Sequence, residues 1–207
     1  MVDMPNPLIV MLSGWAGSGK DVAAALMVEE MGFQREAFAD VMKTACAHAC
    51  HLPLEDFMWP ARKDAPLRHT VKEYPEAKTP RDILLAYGRR QRAVNDAVFA
   101  RHVVQNIQAA AADIDRFVIS DWRFPIELAE LQRAFPTARI VRVRVKRACV
   151  QPLETPTEHL LDDAPFDVVI QNDGCISDLR DALRHMLHPY LHPQSIGIND
   201  QDGSYTS

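Results

Sequence analysis

The sequence predicts an α/β domain: a parallel sheet of about five short strands with helices on both faces. Three observations predict it. Short apolar, β-branched runs recur along the chain and are separated by stretches of helical periodicity. The first run ends in a glycine-rich turn that opens directly into a strong helix former, the order of a parallel strand–helix–strand unit. The length of 207 residues, with 47% hydrophobic and 25% charged residues, suits one such domain with a real core.

Taken in order, "PLIVMLSG" (7–14) reads as a buried strand feeding a tight turn. "KDVAAALMVEEM" (20–31) is rich in helix formers and is closed by Gly32. "REAFAD" (35–40) reads as a second short strand, and "VMKTACAHAC" (41–50) as a helix ended by "HLP". Pro53, Pro60, Pro66, Pro75 and Pro80 punctuate residues 52–80, an irregular connection between small helices. "TPRDILLAYG" (79–88) predicts a helix with Thr79 as N-cap, Pro80 at its first position and Gly88 as its stop. Phe99, Val103, Ile107 and Ala111 recur every fourth residue and mark a long amphipathic helix through 96–112. "RFVIS" (116–120), "RIVRVRV" (139–145) and "DVVIQ" (167–171) are the remaining strands. "IELAELQRAF" (126–135) and "SDLRDALRHML" (177–187) are the helices between and after them. Residues 1–193 are expected to form one domain, and the polar, turn-rich 194–207 a disordered tail.

Composition removes several classes of function. The formal net charge is −5, so any contact with a polyanion must come from local clusters of Lys and Arg. Cys46, Cys50, Cys149 and Cys175 make neither a disulfide scaffold nor a CxxC pair, which fits reduced thiols in the cytoplasm. The apolar run "PLIVML" is too short for a signal peptide or a membrane span, so no membrane partner is expected.

"GWAGSGK" (14–20) fits G-x-x-x-x-G-K in its required place, after an apolar strand and before a helix. Backbone N–H groups of Gly14, Trp15, Ala16, Gly17, Ser18 and Gly19 can then ring a phosphate, helped by the positive helix N-terminus. Lys20 can reach the β- and γ-phosphates of ATP. Asp21 stands where a serine or threonine hydroxyl usually holds Mg²⁺. A carboxylate is also a hard oxygen ligand, so the swap need not lose the metal: Asp21 can bind Mg²⁺ directly or through a water, or take a second role beside the incoming hydroxyl or phosphate.

The loop variant "GSGKD" resembles that of the deoxynucleoside monophosphate kinases known mainly from bacteriophages, and also that of animal-type phosphomevalonate kinases. Further segments are similar to the phage-type group: "FADVMK" (38–43), "TPRDILLAYG" (79–88), "ISDWRFPIE" (119–127) and "TEHLLDDAPFDVVIQNDG" (157–174). Together they span residues 8–185 in the same order. Trp122 and Ile126 replace that family's Val and Asn, and the basic "GRRQRAVNDAVF" (88–99) replaces a Gly-Thr-Glu-x-Gly-Arg stretch. These departures bear on which substrate is accepted.

The resemblance implies a P-loop kinase fold, with a helical insertion at about 45–105 covering the acceptor and a lid at about 146–160. It implies transfer of the γ-phosphoryl of ATP, with Mg²⁺, to a deoxynucleoside 5′-monophosphate in the cytoplasm, the host's if the chain is phage-encoded. Asp121, at a strand end, reads as a Walker-B-like acid for Mg²⁺, or as a cap for the next turn. Arg123 reads as a cation for the transferring phosphoryl group, or as a solvated side chain. Asp40 and Lys43 are acceptor-site candidates, with helix capping the plainer role for Asp40. Arg81, Arg89, Arg90 and Arg92 form a basic cluster, of which Arg81 and then Arg92 best suit acceptor-phosphate recognition. Lys146 and Arg147 precede the expected lid, and Arg147 is its candidate cation. Arg142 and Arg144 alternate with valines as one face of a half-exposed strand would. Asn172, after the last strand, belongs to a plain turn or to the loop flanking adenine. Cys46 and Cys50 continue the apolar helix face begun by Met42, which explains "CAHACH" better than zinc does.

Two other functions stay open. A related kinase acting on a hydroxymethylated pyrimidine base within phage DNA is kept in play by "GRRQR" and Ile126, against the acidic net charge. A nucleotide-binding switch without transfer is disfavoured by the absence of an Asn/Thr-Lys-x-Asp guanine-reading motif. A homodimer is neither implied nor excluded.

Overall fold

The computed structural model describes residues 6–152 and 156–192. The expected tail and residues 153–155 of the expected lid lie outside the described residues. Five parallel strands, β1 (Leu8–Ser13), β2 (Gln34–Glu36), β3 (Arg116–Ile119), β4 (Arg139–Lys146) and β5 (Val168–Gln171), form one sheet in the order β2-β3-β1-β4-β5. This is the expected α/β class with its parallel sheet and helices on both faces.

Strand β1 is wholly buried, and apolar as far as Ser13, because it sits centrally, with Leu8 in register with both Arg116 of β3 and Arg139 of β4. Its alternate side chains divide the core. Leu8, Val10 and Leu12 pack with Val141, Val143 and Val145 against α1 (Lys20–Met31) and α9 (Ile176–Leu191). Ile9 and Met11 pack with Phe117 and Ile119 against α6 (Val98–Ala110) and α7 (Pro125–Ala134). From β1 the chain moves first to the β3–β2 side and later to the β4–β5 side. The switch point, where ligands of such sheets bind, lies at the carboxyl end of β1.

Residues 45–105 hold a cluster of their own. Cys46, Ala47 and Cys50 of α2 (Phe38–Cys50) pack with Phe57 of α3 (Glu55–Met58), Val71, and Ile83 and Leu84 of α5 (Pro80–Val94). Between α3 and α5 lies α4 (Pro60–Lys63). From Phe99 onward the same stretch packs on the sheet instead. Cys46 and Cys50 are therefore core thiols. Burial, with Cys50 beside it, pushes the Cys46 thiol up to about 12.

Two expectations are corrected. The strand expected at "REAFAD" ends at Glu36, and Phe38 already opens α2. Gly88 does not stop its helix: α5 runs on to Val94. A Cβ on Gly88 would lie 2.7 Å from Met42 Sδ, so this glycine lets α2 approach α5 closely. The expected Thr79 cap is present, its hydroxyl accepting from Asp82 N at 3.2 Å. Among the described residues, no helix is long and apolar enough to cross a membrane.

Candidate functional site

The loop after β1 has the backbone that phosphate binding requires. Gly17 and Gly19 take φ values of 83° and 99°, a region that side chains with a Cβ avoid. A Cβ on Gly14 would meet Val145 O at 2.4 Å, and one on Gly19 would meet Asn172 Nδ2 at 2.1 Å. The loop is thus wrapped tightly over the ends of β4 and β5 and runs into the 12-residue helix α1. Lys20 is only 7% exposed, its Nζ 3.4 Å from Trp15 O, folded back over the loop it serves. Ser18 Oγ is buried without a hydrogen-bond partner, a polar atom left available inside a polar cradle. Closed glycines, a helix N-terminus and a buried lysine fit the triphosphate of ATP.

Asp21 is exposed on the first turn of α1. The described residues contain no group of three or more His, Cys, Asp or Glu side chains able to hold a metal. Mg²⁺ keeps waters and substrate phosphates as ligands and takes one or two carboxylates from protein. Asp21 would supply one of these.

Asp121 follows β3 at the same sheet edge and takes on a structural task as well. Its Oδ1 accepts from Phe38 N at 3.0 Å and its Oδ2 from Ala39 N at 2.7 Å. Helix α2 has no side-chain cap of its own, since Ala37 stands at its N-cap. Asp121 therefore caps α2 from across the fold, and Asp40, the capping candidate of the sequence, does not. Burial pushes the Asp121 carboxyl above its usual range, against the pull of the two N–H donors. A second lone pair on each oxygen remains for a metal-bound water.

Arg92, Arg123 and Glu127 complete this corner. Arg92 lies over the rings of Phe99 (5.0 Å) and Phe124 (4.3 Å). Burial lowers its pKa, and Arg123 does the same, while Glu127 and Asp121 oppose the shift. Glu127 is only 4% exposed; its Oε2 accepts from Arg123 N at 2.9 Å and Phe124 N at 3.0 Å. Burial, with Asp121 nearby, pushes its carboxyl up to about 8. Glu127 was not singled out in the sequence. Its signal is Pro125 at the first helical position, with an acid two residues on that accepts from the N-cap backbone N–H. Arg123 and Gly14 line one small cavity, so the arginine stands beside the phosphate loop.

The acceptor candidates divide into two groups. Asp40 holds Lys43 and Arg35, each at 2.7 Å. Burial would raise its pKa, but the hydrogen bonds from Lys43 and Arg35 win and hold it below the usual range. Arg81 pairs with Asp64 through Nε (2.5 Å) and Nη2 (2.9 Å). Lys63 of α4 sits among them: burial lowers its pKa, and Lys43 and Arg81 lower it further. Nothing in the periodicity marks Lys63, because it lies in an isolated four-residue helix. Arg81 and Arg92 share α5 but are eleven residues apart, about 16 Å along the helix. Arg92 thus stands with Asp121, and Arg81 stands with Lys43 and Lys63 farther out.

On the β4–β5 side, Arg147 is exposed just beyond β4, and Val150 comes close to the loop, within 3.7 Å of a Cβ on Gly17. Asn172 Nδ2 donates to Ser18 O at 2.8 Å and braces the loop from behind. Trp122 is 2% exposed, edge-on to Phe166 at 5.5 Å, and lines the small cavity that Gly14 and Arg123 share. Arg142 is paired with Asp167 at the surface, at 2.6 Å. Arg144 corrects the expectation of a half-exposed face: it is 5% exposed and bonded to Ser13 and Asp162.

No family model and no curated protein matches the sequence. Solved structures do match in fold. A Thermus thermophilus protein, TT1252, is 17% identical with a TM-score of 0.50, covering 88% of this chain and 97% of its own. A sugar kinase from Janibacter sp. HTCC2649 is 14% identical with a TM-score of 0.45, covering 88% of this chain and 95% of its own. Dephospho-CoA kinase from Campylobacter jejuni is 12% identical with a TM-score of 0.46, covering 88% of this chain and 96% of its own.

Proposed function

We propose that this chain is an ATP-dependent kinase that transfers the γ-phosphoryl group to a deoxynucleoside 5′-monophosphate. The observation that carries the reading is the phosphate loop with Lys20 at the sheet's switch point, its Gly14 sharing a cavity with Arg123. In this reading the loop amides and Lys20 hold the donor phosphates. An oxygen of the acceptor phosphate attacks the γ-phosphorus, the bond to the β–γ bridging oxygen breaks, and ADP leaves. Such transfer is mostly positioning and charge neutralisation, which Lys20, Arg123 and Arg92 supply. Asp21 and Asp121 would hold Mg²⁺, which would neutralise charge on the donor phosphates. Lys43, Lys63 and Arg81 attract and orient the acceptor, and Arg147 closes on the donor side.

A second reading, phosphorylation of a hydroxymethylated base within DNA, is favoured by one feature. Residues 51–95 carry nine Lys and Arg against six Asp and Glu, while the rest of the chain carries 14 against 22. The positive charge is gathered where an acceptor would enter. The experiment that tests both is a radiolabelled γ-phosphoryl transfer assay with Mg²⁺-ATP. Its acceptor panel holds each deoxynucleoside monophosphate beside DNA containing hydroxymethylated pyrimidines. Label on a monophosphate is expected. Label only on the polymer selects the second reading, and label on neither refutes both.

A further inference from the structure

Arg144 occupies a position that its strand pattern does not anticipate. Burying a guanidinium group is costly unless its donors are satisfied. Here Nη1 donates to Ser13 Oγ at 3.1 Å and Nη2 to Asp162 Oδ1 at 2.8 Å. Its flat faces lie near the rings of Trp15 (5.7 Å) and Phe166 (5.5 Å). One side chain therefore reaches two separate parts of the site. Ser13 immediately precedes Gly14 and Trp15 is in the phosphate loop, whereas Asp162 and Phe166 belong to the segment that follows α8 (Pro156–His159). At the end of α8, His159 Nδ1 lies 2.7 Å from Asp162 Oδ2 and fixes the carboxylate that Arg144 meets. Arg144 also lines the cavity that lies between Gly14, Arg123 and Thr157.

We propose that Arg144 is a positioning residue that couples the donor-phosphate loop to the 156–166 segment. Because one planar group holds Ser13 on one edge and Asp162 on the other, the loop's shape and the docking of the segment stabilise each other. Donor phosphates that order the loop then strengthen the dock, and the dock keeps water from the cavity beside Gly14. A fork with two usable edges is required. Lysine, a single point of charge on a flexible stem, reaches one partner and not both.

This inference rests on the reading of the chain as an ATP-dependent kinase. The test is binding of a non-hydrolysable ATP analogue to the full chain, measured by calorimetry. Backbone hydrogen exchange of residues 156–166 is followed with and without the analogue. The variants are Arg144→Lys, Asp162→Asn and the double substitution. The wild type is expected to bind, with exchange slowed at 156–166. Each single variant is expected to weaken binding about tenfold, the scale of one charge-assisted hydrogen bond, and to lose the slowing. The double variant should be no worse than either single one, because both break the same link. Wild-type affinity and wild-type slowing in Asp162→Asn would overturn the proposal, as would losses that multiply in the double variant. A wild type that binds no analogue would overturn the kinase reading instead. If Arg144→Lys fails to fold, Asp162→Asn and Ser13→Ala, which break the link at either end, decide the matter by the same readouts.

Discussion

Asp121→Asn separates the cap that Asp121 provides from the metal role proposed for it. The substitution keeps the shape of the side chain but leaves one acceptor oxygen where there were two. In the wild type both oxygens are used, by Phe38 N at 3.0 Å and Ala39 N at 2.7 Å. One of these N–H groups would face an amide NH₂ in the variant and lose its partner, at a cost of about 1–3 kcal/mol. Removing a negative charge from the N-terminus of the 13-residue α2 costs up to about 1 kcal/mol more. Against this, burial disfavours the wild-type carboxylate, and the amide escapes that penalty. The net is about 2 kcal/mol, or about 4–8 °C in Tm for a domain of this size. Calorimetric melting of both proteins measures it, beside transfer kinetics. Because α2 also carries Lys43, a loosened α2 is expected to raise the KM for acceptor more than that for ATP. A variant that melts within about 1 °C of the wild type would refute the stabilising cap and leave Asp121 with its proposed metal role alone.

Three further outcomes are expected. Lys20→Ala should lower phosphoryl transfer at least about a hundredfold, since it removes the cation reaching the β- and γ-phosphates; full activity in the assay above would refute the site. Gly88→Ala should cost up to about 1 kcal/mol net, seen as a lower midpoint in urea, because its methyl group would meet Met42 Sδ at 2.7 Å at an overpacking cost of about 1–2 kcal/mol that the helix preference for alanine offsets by about 0.5–1 kcal/mol. The cost stays moderate because the methionine tip can turn aside. Glu127 has its folded pKa raised from 4.5 to about 8, so the native state holds a proton that the unfolded chain releases. Its contribution to stability is therefore full below pH 4.5, declines as pH rises, and is gone above about 8. Melting temperatures measured across this window should fall with pH more steeply in the wild type than in Glu127→Gln, which cannot titrate; parallel curves would refute the assignment.

The features written into neighbouring residues are the ones the sequence by itself determined. The β1–loop–α1 unit was legible because its apolar run, its glycines and Lys20 are contiguous, and local sterics fix both the turn and the helix start. Strands β1, β3, β4 and β5 were legible as apolar runs, β1 most plainly because its central register buries both faces. Where a residue's role depends on a distant partner, local pattern misled or was silent. Gly88 read as a stop because only the approach of Met42 shows why a glycine continues the helix. Arg144 read as surface because alternation along a strand cannot show Asp162, Trp15 and Phe166 closing over its end. Lys63 and Glu127 gained their surroundings only when α2, α4 and α5, or α5, β3 and α7, were packed together. The cap on α2 is the plainest case. Its helix begins at Phe38 with an alanine before it, and the acceptor for its first N–H groups lies more than eighty residues away. Hydrogen bonds and burial act through space, and only the tertiary structure brings those groups within reach.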